Sequence, residues 1–144
     1  MATTRRAEVT WQGDLPTGAG TIEKVTSGVI SSLGVSWPAR IGEDQSLTSP
    51  EELIAAAHAS CFSMALSNIL AKDGTTPENL SVAATVTFVP GEGIESSALE
   101  VTGRVPGIDE EGFAEAAEKA KENCPVSQAL QGNVEISVEA RLAS

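Results

Sequence analysis

The clearest alternation of apolar and polar positions lies at residues 81–89. Val82, Ala84, Val86 and Phe88 fall on one side, and Ser81, Ala83, Thr85 and Thr87 on the other. Period two over that length predicts a strand with one covered and one wet face. Residues 90–93 read as a turn, and 98–105 return as the partner strand. A last alternating run covers 134–142. Near the N-terminus, 7–11 predicts a short strand ending in the turn Gln12-Gly13-Asp14, and 21–25 predicts a second after Gly18-Ala19-Gly20. A third is expected over 28–36, and the polar stretch 38–47, with Pro, Gly and Asp, reads as a loop.

Two segments break the period and read as helices. Ser49-Pro50-Glu51-Glu52 is a start signal: serine suits the N-cap, proline the first helical position, and Glu52 completes a capping box with Ser49. Gly74 is a natural stop. Between them apolar residues cover most of the circumference, which predicts a long helix buried in the middle of the fold. Asp109 caps a second helix over 110–123, with Phe113, Ala116, Ala117 and Ala120 on its inner stripe. Cys124 precedes Pro125 and is held out of helical geometry, so 125–130 reads as a short helix with Cys124 at its N-cap. Strands grouped between helices and joined by hairpins predict an α+β fold with antiparallel sheets, in a single domain over 1–144.

Composition narrows the partners. The 144 residues include no Tyr, three Phe and two Trp, so the core must be built from Ala, Val, Leu and Ile. The formal charge of -11 repels phosphate backbones and anionic lipid, which argues against nucleic acid and membrane surfaces. Arg5 and Arg6 have no apolar stretch behind them, so no export signal is read, and the chain is expected in the cytoplasm. The apolar run at 53–70 is interrupted by His58, Ser60, Ser63, Ser67 and Asn68, a poor membrane span. The glycine-rich piece near residue 20 lacks the Gly-Lys-Ser/Thr of a phosphate loop.

The chemistry rests on few residues. Two cysteines far apart, Cys61 and Cys124, are not a secreted scaffold or a CxxC pair. In a reducing compartment they are inert or redox-active. Cys61 lies mid-helix, where burial alone would silence it and a positive charge from elsewhere in the fold would be needed. Cys124 at a helix N-terminus would face unpaired N–H groups, and on position alone capping and reactivity weigh equally. His58 sits on the face of Cys61, three residues before it. A base or a zinc ligand with Cys61 and Cys124 is conceivable, but a hydrogen-bonded core histidine is the expected role. No metal or cofactor is expected.

The run SPEELIAAAHASCFSMAL, residues 49–66, resembles the signature helix of the OsmC/Ohr family of thiol peroxidases, and NCPVSQAL, 123–130, resembles its second block. VPGID at 105–109 and TWQGD at 10–14 are similar too, and the OsmC branch matches best. The resemblance implies that Cys61 is the peroxidatic cysteine, Cys124 the resolving one, and Glu51 the catalytic glutamate. It implies an arginine as well. None lies between Arg6 and Arg40, and Arg40 occupies the OsmC-branch position. An intertwined homodimer with shared sites, organic hydroperoxide substrates and an external dithiol of lipoyl type are further implications.

Those residue types suit peroxide reduction. An unperturbed cysteine, with pKa about 8.5, is a few per cent ionised at pH 7, so full ionisation gains roughly thirtyfold, about 2 kcal/mol. The rest must come from stabilising the leaving alkoxide. Arginine serves both ends, and a glutamate can orient it through a bidentate pair. Ile54, Phe62 and Ile69 are candidate walls for an apolar substrate tail. A rival class is a binding module for an acyl or other hydrophobic ligand with both cysteines structural. Rapid, reversible loss of two thiols on peroxide treatment separates the two.

Overall fold

The computed structural model describes residues 1–143. The chain divides into two compact units, Met1–Leu53 and the chain from Ile54 onward. In the first, β1 (Ala7–Gln12), β2 (Ala19–Val25) and β3 (Leu33–Val35) form an antiparallel sheet in that order. Gly20 lies where the Trp11 ring crosses the sheet. A Cβ there would stand 2.7 Å from the ring and 2.9 Å from Val35. The third strand is shorter than the expected 28–36, because only Leu33–Val35 finds a partner, at Gly20–Ile22.

The start of the expected 38–47 loop is instead part of a one-turn helix, α1 (Trp37–Arg40). Ser36 caps it by accepting the Ala39 N–H at 3.1 Å, and a proline fills its first turn. The long helix α2 (Pro50–Lys72) then begins inside this unit. Ser49 caps it as expected, accepting from Glu52 N–H at 3.1 Å. The reciprocal half of the expected capping box does not form among the described residues: the Glu52 carboxylate takes the Thr48 hydroxyl at 2.8 Å instead.

The second unit holds the rest of α2, then β4 (Asn79–Val89), β5 (Gly93–Arg104), α3 (Glu110–Asn123), α4 (Pro125–Leu130) and β6 (Glu135–Leu142). The sheet order is β4-β5-β6. β4 and β5 are the expected hairpin, with β5 starting earlier because pairing with β4 runs back to Gly93. The mixed α+β class holds, but the sheets are not antiparallel throughout: β6 pairs with β5 in parallel. Two helices separate those strands, and a parallel pair needs that kind of crossover.

Phe62, Leu66 and Leu70 of α2 form one core with Leu99 and Val101 of β5 and Phe113, Ala117 and Ala120 of α3. Phe113 settles on Gly103, where an added Cβ would stand 2.5 Å from its ring. The long helix is not buried all round. His58, Phe62, Leu66 and Leu70, spaced by four, are covered, while Ala56, Ala57, Ser60, Met64 and Asn68 are exposed, Met64 at 71%. By length and a mean hydropathy of 1.5, α2 would also pass as a membrane span. Its inner stripe is instead packed in the core.

Candidate active site

The sequence-predicted residues fall into two clusters, one in each unit. In the first, Arg40 at the end of α1 meets Glu51 in the first turn of α2. Arg40 Nε donates to both carboxylate oxygens at 3.1 Å, and Nη2 donates to Oε2 at 2.8 Å. The glutamate side chain is 7% exposed and the arginine 33%. This is a two-pronged, charge-assisted pair, the arrangement that fixes a guanidinium plane. Its local cause is the sequence: the Ser36 cap and the turn at Gly42 (φ 84°) return the chain to Ser49-Pro50, which starts α2 with Glu51 in place.

The second cluster is the thiol pair. Cys61 lies in the middle of α2 and is half-buried; Cys124 lies at the joint of α3 and α4 and is buried; both are reduced. Cys124 and the backbone of Val126 lie close enough to Cys61 to act on its thiol. Cys124 does occupy the N-cap of α4, but it makes no side-chain cap bond. Burial pushes the Cys61 thiol above its ordinary value and the neighbouring Cys124 adds to the rise, with the Val126 backbone opposing.

His58 belongs to neither role considered for a reactive histidine. Nδ1 lies 2.6 Å from Ser97 Oγ on β5, and Nε2 lies 2.7 Å from Ser127 Oγ on α4. All three residues are buried. Burial lowers the imidazole pKa, so the ring is held neutral, with one nitrogen donating and the other accepting. With both nitrogens turned to serines, the ring is not offered to the two sulfurs as a zinc ligand or as a base. Among the described residues no group of three His, Cys, Asp or Glu side chains could hold a metal. Ser97, Ser127 and Val126 are the parts sequence reasoning missed. The nearest signal was Ser127 inside the NCPVSQAL block, and it says nothing about a partner on α2.

Of the expected pocket walls, Phe62 is wholly buried core and Ile69 packs against that core; Ile54 is half-buried. A depression of about 510 Å³ lined by Lys121, Glu122, Ser127, Gln131, Val134 and Ile136 opens behind α4. Neither cysteine lines it.

A half-exposed cysteine with a buried cysteine as its neighbour and a fixed arginine–glutamate pair are thus carried by a mixed α+β fold. Comparison with known proteins is specific. The family model described as OsmC-like protein matches residues 42–139. "Peroxiredoxin OsmC" of Escherichia coli (strain K12) is 38% identical over 142 residues, covering 96% of this chain and 98% of that protein. "Organic hydroperoxide resistance protein" of Xanthomonas axonopodis pv. citri (strain 306) is 32% identical over 92 residues, covering 63% and 65%. Among solved structures, the organic hydroperoxide resistance protein OhrB of Bacillus subtilis superposes with a TM-score of 0.73 at 28% identity, covering 94% of this chain and 97% of that one. The chain belongs to the OsmC-like family.

Proposed function

We propose that this protein is a cytoplasmic cysteine peroxidase that reduces organic hydroperoxides at Cys61. Kinship with a peroxiredoxin and with hydroperoxide resistance proteins supports the class. The observation that carries the residue assignment is a half-exposed Cys61 with the buried Cys124 as its neighbour, both free. In the proposed cycle the Cys61 thiolate attacks the distal peroxide oxygen. The O–O bond breaks, the alkoxide leaves as an alcohol after protonation, and Cys61 becomes a sulfenic acid. Cys124 condenses with it to a disulfide, and an external dithiol, of lipoyl type by family resemblance, returns both thiols.

Burial raises the Cys61 thiol, so the thiolate needs added positive charge. Arg40, oriented by Glu51, is the proposed source, and it also stabilises the leaving oxygen. Glu51 precedes Cys61 by ten residues on one helix, about 15 Å at 1.5 Å per residue, and a glutamate reaches only a few ångströms. The arginine–glutamate pair serving Cys61 is therefore assigned to a second copy, giving a two-fold dimer with shared sites. The exposed apolar face of α2 around Ala57 and Met64 supports a second copy as its cover.

Two experiments test this. Limiting cumene hydroperoxide should remove two thiols rapidly, and a dithiol should restore them; slow, undirected oxidation would favour a hydrophobic-ligand module instead. Subunits of Cys61→Ser and Glu51→Ala are then mixed under exchange conditions. A shared site leaves one complete site per heterodimer and returns about half the activity. Silence with heterodimers confirmed by native mass would refute sharing.

A further inference from the structure

Cys61 and Cys124 stand on different helices, and their contact depends on what holds α4 against α2. α4 has six residues, too few to be stable through its own hydrogen bonds. Its one buried residue is not apolar but Ser127. That hydroxyl lies 2.7 Å from Nε2 of His58, and the far side of the ring is fixed by Ser97 of β5 at 2.6 Å. His58 is three residues before Cys61 on α2, and Ser127 is three residues after Cys124. The bond thus ties the two cysteine-bearing helices together about one turn from the sulfurs. A hydrogen bond between buried groups sets register more sharply than apolar contact, because it is directional. The neutral ring that burial favours can donate to one serine and accept from the other.

We propose that His58 is a positioning residue for disulfide formation. Through Ser127 it sets α4 so that the Cys124 sulfur and the Val126 backbone meet Cys61, while Ser97 fixes the ring. The inference rests on the reading of Cys61 as peroxidatic and Cys124 as resolving. In the step concerned, the Cys124 sulfur attacks the Cys61 sulfenic sulfur. The S–S bond forms as the S–O bond breaks, the hydroxyl leaves as water with the Cys124 proton, the Cys124 sulfur is oxidised and the sulfenic sulfur reduced. The sulfurs must close to about 2.05 Å, and a misplacement of about 1 Å can cost a reaction about a hundredfold.

The test uses the full-length protein as wild type, Ser127→Ala, Ser127→Thr, Ser97→Ala and His58→Asn, each mixed with one equivalent of cumene hydroperoxide. Consumption of that equivalent and formation of the Cys61–Cys124 disulfide are timed separately, the latter by quenched alkylation and mass. The ratio of disulfide rate to consumption rate should fall about tenfold or more in Ser127→Ala and His58→Asn. Dimedone-trappable sulfenic acid should accumulate in both. Ser127→Thr, which keeps the hydroxyl, should restore the ratio. A wild-type ratio in Ser127→Ala, with only its melting temperature lowered to match Ser97→Ala, would overturn the positioning role. If His58→Asn does not fold, Ser127→Ala decides. If the wild type makes no Cys61–Cys124 disulfide, the peroxidase cycle itself is refuted and the positioning role falls with it.

Discussion

Replacing Arg40 by lysine keeps the charge and removes the plane. In the native pair two nitrogens make three contacts with Glu51, from Nε at 3.1 Å to each oxygen and from Nη2 at 2.8 Å. A lysine has one nitrogen and can replace the shortest contact at best. At least one charge-assisted bond is lost, worth about 1.5–3 kcal/mol. Glu51 is too covered for water to fill the gap freely, but Arg40 is one-third exposed. The lower half of that range, about 1.5–2 kcal/mol, is therefore the better figure. Falling wholly on the transition state, it lowers kcat/KM about ten- to thirtyfold, since about 1.4 kcal/mol is a factor of ten. The assay is steady-state reduction of cumene hydroperoxide with excess dithiol, with a urea melt of the same protein to measure how much of the loss is stability. An Arg40→Lys enzyme within about threefold of wild type, and equally stable, would refute the reasoning. It would move the catalytic arginine elsewhere, with Arg6 the next candidate.

Three further outcomes are expected. Cys124→Ser should consume one equivalent of peroxide and then stall as a Cys61 sulfenic acid that over-oxidises; a variant dead in the first turnover would exchange the cysteine roles. Gly103→Val should destabilise by about 1–3 kcal/mol in urea, because the new Cβ meets the ring of the fully buried Phe113; an unchanged midpoint would show that α3 can lift off β5 freely. Burial lowers the His58 pKa below its ordinary value of 6.5, so below about that pH the unfolded chain binds a proton the folded one resists. Stability should be full above that pH and fall as the pH drops further, and His58→Gln should flatten the slope; equal slopes would exclude His58 as the source.

What could be read along the chain was what is encoded locally. Asp109, the Phe113–Ala120 stripe and Pro125 mark α3 and α4 at their observed limits, because caps, periodicity and proline act within a few residues. The shortened β3 and the lengthened β5 were not legible, since a strand ends where its partner does, and the partner is elsewhere in sequence. α1 was overlooked although Ser36 and Pro38 are proper start signals; four residues give no period to detect. The direction of β6 depends on which neighbour it finds. At the site, Cys61, Cys124, Glu51 and Arg40 stood out through family resemblance, and of these Arg40 and Glu51 are seen bonded to each other. The Ser97–His58–Ser127 chain could not be seen. Serine is common, and nothing at positions 97 or 127 points to residue 58.

The parallel pairing of β6 with β5 orders events as the protein is made. The β4–β5 hairpin closes over a tight turn at Gly91–Gly93 and can form within about 10 μs. The β5–β6 ladder must wait until the whole α3–α4 connection is threaded between its strands, a non-local closure that is slow by comparison. Cys124 sits on that connection. Cys61 is therefore made, and its helix can form, before the segment that brings Cys124 beside it has closed.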